Sequence, residues 1–432
     1  MMDLVAVLQA FYERLLAIAP EWGLDATDID WRVVESDRMY ELVAYALPGR
    51  LAHWTHGRDF GLIRQRSGQG HGRFYEIVFG GRPATAYLLD GNTLAAQKLV
   101  MAHVLGHVDL DRTHMLLAGD RADRMASFQQ AKARLAVYQE QYGLEAVETV
   151  LNRALAIQWQ VSEQEAPQRP PMTPPENPYP EIFSRPTVSL PPPSRYGLPT
   201  TDLLGFLARE SPILADWERD ICASVRQEGL YFHRLRQVKQ SHEGYAAMIN
   251  QQLLLDPRLG LTDGEQVETA VLFAHVASPD PTDLNPYWFG GRFLQWLVQE
   301  RGWAEAQAIW RTETDASLVR NYLTAEAIRF LDLYRYQWAQ EWVDGHGQMW
   351  IARRAAADDW EGLRDDLANA LAQGPPVIRV GEMDYKGILQ LIHEPDGTTL
   401  DKDWAAKTCA AITGLWGAPV ILHDGAETIT GA

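Results

Sequence analysis

Apolar residues recur along this chain at two periods. Leu4, Leu8, Phe11, Leu15 and Ile18 fall three or four apart with Glu13 and Arg14 between them, the stripe of an amphipathic helix rather than a leader peptide. Residues 74–79 and 85–89 are β-prone runs separated by Gly80, Gly81 and Pro83, which predicts a hairpin. Asp90-Gly91-Asn92-Thr93 then turns the chain, and Asn92 or Thr93 can cap a helix running to about Val108. Helical spacing resumes over 119–142 and 144–160.

The pattern then breaks. Residues 167–199 hold 12 of the chain's 24 prolines, and proline lacks the amide donor that helices and central strands need. From Thr201 to about Ala355 the spacing is helical again, including apolar positions three and four apart over 315–337. After a helix at 360–371 come short β runs at 376–380, 388–393 and 419–422, with a helix predicted at 401–415. The fold class expected is mainly α with a short β-hairpin region in the N-terminal part, plus a small C-terminal α+β domain. The divisions expected are 1–157, a Pro-rich linker at 158–200, a helical segment at 201–355 that completes the core, and the α+β domain at 356–432.

Composition narrows the function. A formal net charge of -18 repels phosphate backbones, and no dense basic run offsets it, so nucleic acid is not an expected partner. No apolar run approaches the roughly 20 residues of a membrane span. The two cysteines, Cys222 and Cys409, lie far apart in apolar helical contexts and read as buried free thiols, without a disulfide framework. A cytoplasmic location is expected.

The candidate chemistry centres on Ala102-His103-Val104-Leu105-Gly106-His107. Residues four apart share a helix face, and two histidines so placed can grip one zinc ion. Val104 stands where the His-Glu-x-x-His peptidase pattern carries its glutamate base. Two core histidines held by hydrogen bonds is the competing reading. Glu243, mid-helix, is a candidate third ligand or else the partner of Lys239; His242 beside it faces with Val238, Tyr245 and Ile249. His275 ends a helix, where a helix C-terminal dipole also accounts for it. Asn285 and Tyr287 form a further cluster with it. Arg320 and Asn321 read as a polar turn before a helix capped by Thr324; Ala327 at the third position leaves that cap plain.

Several segments together resemble the SpoVR family, stage V sporulation protein R. They are Tyr75-Glu76-Ile77-Val78, the stretch from Tyr87 through His107, Trp217-Glu218-Arg219-Asp220-Ile221, Tyr231-Phe232 and Glu243-Gly244-Tyr245-Ala246. Leu284-Asn285-Pro286-Tyr287, Arg320-Asn321-Tyr322-Leu323-Thr324 and Leu415-Trp416-Gly417-Ala418-Pro419-Val420 continue it, in order along nearly the whole chain. The chain reads as a divergent member. His242 replaces an asparagine of the family pattern, Tyr245 a tryptophan and Asn250 a histidine, and the run after His107 differs while keeping Asp109.

The resemblance implies a bacterial cytoplasmic protein linked to sporulation, cell-envelope or stress physiology, often beside a PrkA-type serine kinase, with no reaction attached. It also implies a gluzincin-like helical core, in which a helix bearing Asn-Glu-Gly supplies the third ligand. Glu243 would then join His103 and His107 on zinc. Two functions follow. One is a regulatory or scaffold protein with a metal site, binding protein partners through its C-terminal domain or Pro-rich segment. The other is a zinc-dependent hydrolase of a peptide or cell-wall amide, in which Asp109 or Glu76 must replace the missing base.

Overall fold

The computed structural model describes residues 4–42, 76–118, 121–163, 200–279, 284–334, 336–355, 359–383, 387–394 and 399–431. Helix α1 (Leu4–Ile18) leads to strand β1 (Ile29–Val34), α2 (Ser36–Glu41), β2 (Glu76–Phe79), β3 (Ala84–Leu89) and α3 (Leu94–Thr113). Then come α4 (Arg121–Tyr142), α5 (Leu144–Leu155), α6 (Leu203–Glu210), α7 (Asp216–Arg236), α8 (Lys239–Leu254) and α9 (Asp263–Val276). They are followed by α10 (Pro286–Arg301), α11 (Trp303–Trp310), α12 (Asp315–Tyr322), α13 (Ala325–Leu331), β4 (Tyr336–Val343), β5 (Met349–Ala355) and α14 (Trp360–Ala372). The chain ends in β6 (Val377–Met383), β7 (Leu389–Glu394), α15 (Lys402–Trp416), β8 (Val420–Asp424) and β9 (Glu427–Thr430). The mainly helical class, with a small N-terminal sheet and a C-terminal four-stranded sheet, agrees with the sequence pattern. Among the described residues no helix is long and apolar enough to cross a membrane.

Two compact units divide the chain. The first contains the described residues up to Met125 and those from Arg234 to Gln373. Its core packs α1, through Leu8, Phe11, Leu15 and Ile18, with the inner faces of β1 and β3 and with α3, α8, α10 and α11. The predicted hairpin forms: β2 lies antiparallel to β3, and a proline-bearing turn follows β2. Strand β1 joins the other edge of β3 in parallel, Ile29 opposite Ala84 through Val34 opposite Leu89. A parallel neighbour needs a long crossover, so no local turn announces β1 in the sequence.

Helix α3 is buried without interruption from Val100 to Asp111. A helix covered all round has no solvent face to receive its polar residues. Its histidines and aspartates must therefore find partners inside.

The second unit contains the described residues 126–233 and 374–431. A four-stranded sheet runs β6-β7-β8-β9, with β7 and β8 parallel across the α15 crossover and the outer pairs antiparallel. Ile412, Leu415 and Trp416 of α15 pack with Leu391 and Leu422 of the sheet and with Leu204, Phe206 and Val225 of α6 and α7. Both cysteines are buried and free, and burial pushes the Cys222 thiol up to about 12 and that of Cys409 to about 11.

Residues 336–355 depart from the helical reading. They form the antiparallel β4–β5 hairpin, with a bulge between Trp338 and Gln340. Tyr336, Trp338 and Trp342 sit at even spacing, the strand period. Asp344 folds the turn by accepting from the amides of His346 and Gln348, with Gly347 at φ 78°. Arg320 and Asn321 belong to the last turn of α12 rather than to a polar turn; the chain bends at Leu323. Thr324 does cap α13, from Ala327, as the spacing predicts.

Candidate metal centre

The site is assembled by helix crossings. Thr93 caps α3 by accepting from the Ala96 amide, so the helical register that aligns His103 with His107 is set at its start. Helix α8 lies across α3 with almost no gap: a Cβ on Gly106 would stand 2.6 Å from the Ala246 Cα. On its other side α8 meets α10 through Gly244 and Gly290, where a Cβ on Gly244 would stand 2.3 Å from the Gly290 carbonyl carbon. Only glycine permits such approaches. Backbone contact brings Glu243 within reach of the two imidazoles.

His107 Nε2 is 3.5 Å and His103 Nε2 3.9 Å from Glu243 Oε2. The three ligand atoms lie within 4.8 Å of one another, and the two rings stand perpendicular with centroids 4.5 Å apart. Ligand atoms about 2.05 Å from a tetrahedral ion are separated by roughly 3.4 Å. The His107–Glu243 edge already matches that spacing, and the His103–Glu243 edge exceeds it by about half an ångström. An ordinary ion pair does not describe the contact. Burial, and then the neighbouring His107, push His103 down to about 3, so its ring is neutral at physiological pH. His103 Nε2 and Glu243 Oε2 are both buried without a hydrogen-bond partner. A neutral imidazole lone pair facing a carboxylate oxygen is the donor set a cation satisfies.

The surrounding side chains fix these donors. The Asn250 amide lies 3.3 Å from His103 Nδ1. Asn250 Oδ1 is buried without a partner, and turning that amide by 180° lets Oδ1 accept from Nδ1–H, which leaves the Nε2 lone pair for an ion. His242 stacks on His107 at 4.3 Å and is tied to Asp111 through a 2.8 Å contact at Nε2. Asp111 was not singled out from the sequence. The available signal was its place four residues after His107, on the same helical face. Beside His103 a cavity of about 330 Å³ opens, walled by α3, α8 and α9 and by Tyr287, whose ring lies 5.8 Å from that of His103.

The other predicted residues divide. Tyr287 and His275 line this cavity. Asn285 is structural: its side chain caps α10 at Tyr287 and donates to the carbonyls of Val276 and Ser278. Asp109 accepts from the Tyr245 hydroxyl at 2.5 Å, the Asp25 amide at 2.7 Å and the Arg311 guanidinium. Burial pushes its carboxyl up, opposed by these three partners. Asp109 follows His107 by two residues, about 200° around the helix, so the two side chains leave α3 on different faces. Glu76 opens β2, and its side chain lies outside the described part of the structure. Arg320 and Asn321 reach Asn369 and Glu313 rather than the histidines.

Two histidines and one carboxylate converging in a helical core define a candidate metalloprotein centre. A family model described as SpoVR like protein matches residues 3–182 and 189–375, which include all three donors, and the chain belongs to that family. It is 24% identical over 477 residues to a protein of Escherichia coli (strain K12) named "Uncharacterized protein YcgB", covering 98% of this chain and 92% of that one. No solved structure matches the chain.

Proposed function

We propose that this protein is a zinc-dependent hydrolase acting on a peptide or amide bond, with His103, His107 and Glu243 as the ligands. The observation that carries this reading is the cavity beside His103. Structural zinc sites are closed by four protein ligands, whereas catalytic ones have three and leave a position open. Here three donors converge, and one of them, His103, also lines a hollow that can admit a substrate. A divalent ion held there would polarise a carbonyl and lower the pKa of bound water toward about 7. Asn250 orients His103, and Asp111 steadies the His242 ring against His107. Asp109 is committed to Tyr245, Asp25 and Arg311, which supports an anchoring rather than a proton-accepting part for it. Val104 is fully buried in the core and supplies no base, which favours a second reading: a metal-stabilised regulatory or scaffold protein.

One series separates the two. The full chain, purified without a histidine tag, is assayed for metal by elemental analysis and for hydrolysis of peptide and peptidoglycan-fragment amides. The hydrolase reading expects about one zinc per chain, lost in His103→Ala and Glu243→Ala together with amide cleavage. Stoichiometric zinc without cleavage of any amide supports the regulatory reading. Zinc content unaffected by His103→Ala removes the site.

A further inference from the structure

The cavity beside His103 carries more than the presence of an open position. Its walls are Leu99 and Val100 from α3, Ala247 from α8, and Leu272 and Val276 from α9. The polar groups on the wall are His103, Asn250, His275 and Tyr287, and no carboxylate, lysine or arginine is among the lining residues. Asn250 is engaged with His103. A charged group entering this space would lose its hydration without meeting a counter-charge. An apolar group would exchange water for aliphatic walls, the favourable direction. At about 330 Å³ the space is at the small end of ligand pockets: it admits a branched aliphatic side chain with room to spare and is too small for a large cofactor.

We infer that this cavity is a specificity pocket for an uncharged, branched-aliphatic side chain of the leucine type, carried by the residue next to the bond presented to His103 and Glu243. The inference rests on the proposed metal reading for the position of that bond. The preference for the side chain rests on the cavity alone. Val271 lines the mouth and is 61% exposed on α9, so the pocket can be altered there without disturbing the core.

The test uses the full chain loaded with zinc and three hydroxamates: acetohydroxamate, and leucine hydroxamate and aspartate hydroxamate with their α-amines acetylated, so that no free amine adds a charge or a chelating nitrogen and the hydroxamate is the one metal-binding head in each. Calorimetry should give leucine hydroxamate a Kd on the order of 10- to 100-fold below that of acetohydroxamate, as burial of one such side chain provides. Aspartate hydroxamate should gain nothing over acetohydroxamate. Val271→Asp should bring the leucine compound back toward acetohydroxamate. Equal affinity for the leucine compound and acetohydroxamate, or a leucine preference untouched by Val271→Asp, overturns the inference while leaving the metal reading standing. If the chain takes up no zinc, the metal reading fails separately. The pocket is then read on metal-free protein with 4-methylpentanamide by ligand-observed NMR: binding lost in Val271→Asp supports the pocket, and no binding to the unaltered chain overturns it.

Discussion

The replacement Gly106→Ala adds a single methyl group to the helix that carries both histidines. In an exposed helix this change stabilises by about 1 kcal/mol, because alanine loses less backbone freedom on folding. Here the new Cβ would sit 2.6 Å from the Ala246 Cα, 3.2 Å from its Cβ and 3.3 Å from the Ile249 Cβ. Carbon atoms rest at about 3.5–4.0 Å. The two helices must therefore part by about 1 Å. Overpacking of this kind costs about 1–3 kcal/mol, which offsets the propensity gain and leaves a net loss of up to about 2 kcal/mol. The larger effect falls on the donors. Ala246 follows Glu243 by three residues on the same rigid helix, so a 1 Å shift is passed to a carboxylate oxygen that already stands 3.5 and 3.9 Å from the two imidazoles. Metal ligand distances tolerate about 0.2 Å. Zinc affinity, read by competition with a chromophoric chelator, should fall about 10- to 100-fold, the range for disturbing the support of a metal ligand. Gly264→Ala is the control, since a Cβ there meets nothing within 4 Å. If Gly106→Ala raises the thermal midpoint and leaves zinc affinity intact, the backbone contact does not set the site.

Two further outcomes follow from buried carboxylates. Asp109→Ala leaves the Tyr245 hydroxyl, the Asp25 amide and Arg311 without their acceptor and should cost about 3–5 kcal/mol in urea unfolding; a variant as stable as the parent but unable to cleave amides would return Asp109 to the catalytic machinery. Asp315 accepts from Ser241 and from the amides at the start of α8, yet burial outweighs these and raises its carboxyl to about 6. The folded state then binds this proton more tightly than the unfolded chain, whose pKa is about 3.9, so the contribution is complete below pH 4 and is lost as pH rises through 6, about 3 kcal/mol in all. Asp315→Asn should flatten that fall, and an unchanged slope between pH 4 and 6 would show that another group carries it.

Much of the site was readable because it is local. The four-residue spacing of His103 and His107 and the cap at Thr93 depend on one helix, and one helix can be read from its own sequence. Glu243 stood in its own helix only as a candidate ligand or a partner of Lys239, and family resemblance joined it to the histidines, since 136 positions separate it from His107 and no pattern within either helix states that they meet. Of the α9 wall of the cavity only His275 was named, for the same reason; Asp111, four residues after His107 on the same helix, carried a local signal and gained its meaning only from the distant His242. The fold shows the same limit. The β2–β3 hairpin carries its own turn, whereas the parallel placement of β1 is decided by what fills the space beside β3. At 336–355 the aromatic residues satisfied a helical count as well as a strand count, and the turn at Asp344 and Gly347 was the signal that distinguishes them. Gly106 gave no sign in the sequence of how close its neighbour comes.

Helix α9 joins the rest of its unit through polar fastenings at both ends. Near its start Glu265 holds the buried Lys98 and Glu268 meets Thr93, both residues at the head of α3. At its finish Asn285 donates to the Val276 and Ser278 carbonyls. Between these points Val267 and Val271 face solvent, and little apolar packing presses the helix inward. An unfilled hollow lined by aliphatic groups forfeits dispersion contacts, so its walls tend to fall together. Here the span is braced at either end, as a lintel is, and those fastenings oppose that collapse. A side chain of the proposed kind would then meet a preshaped space and need not order it on arrival, which is where affinity is otherwise lost.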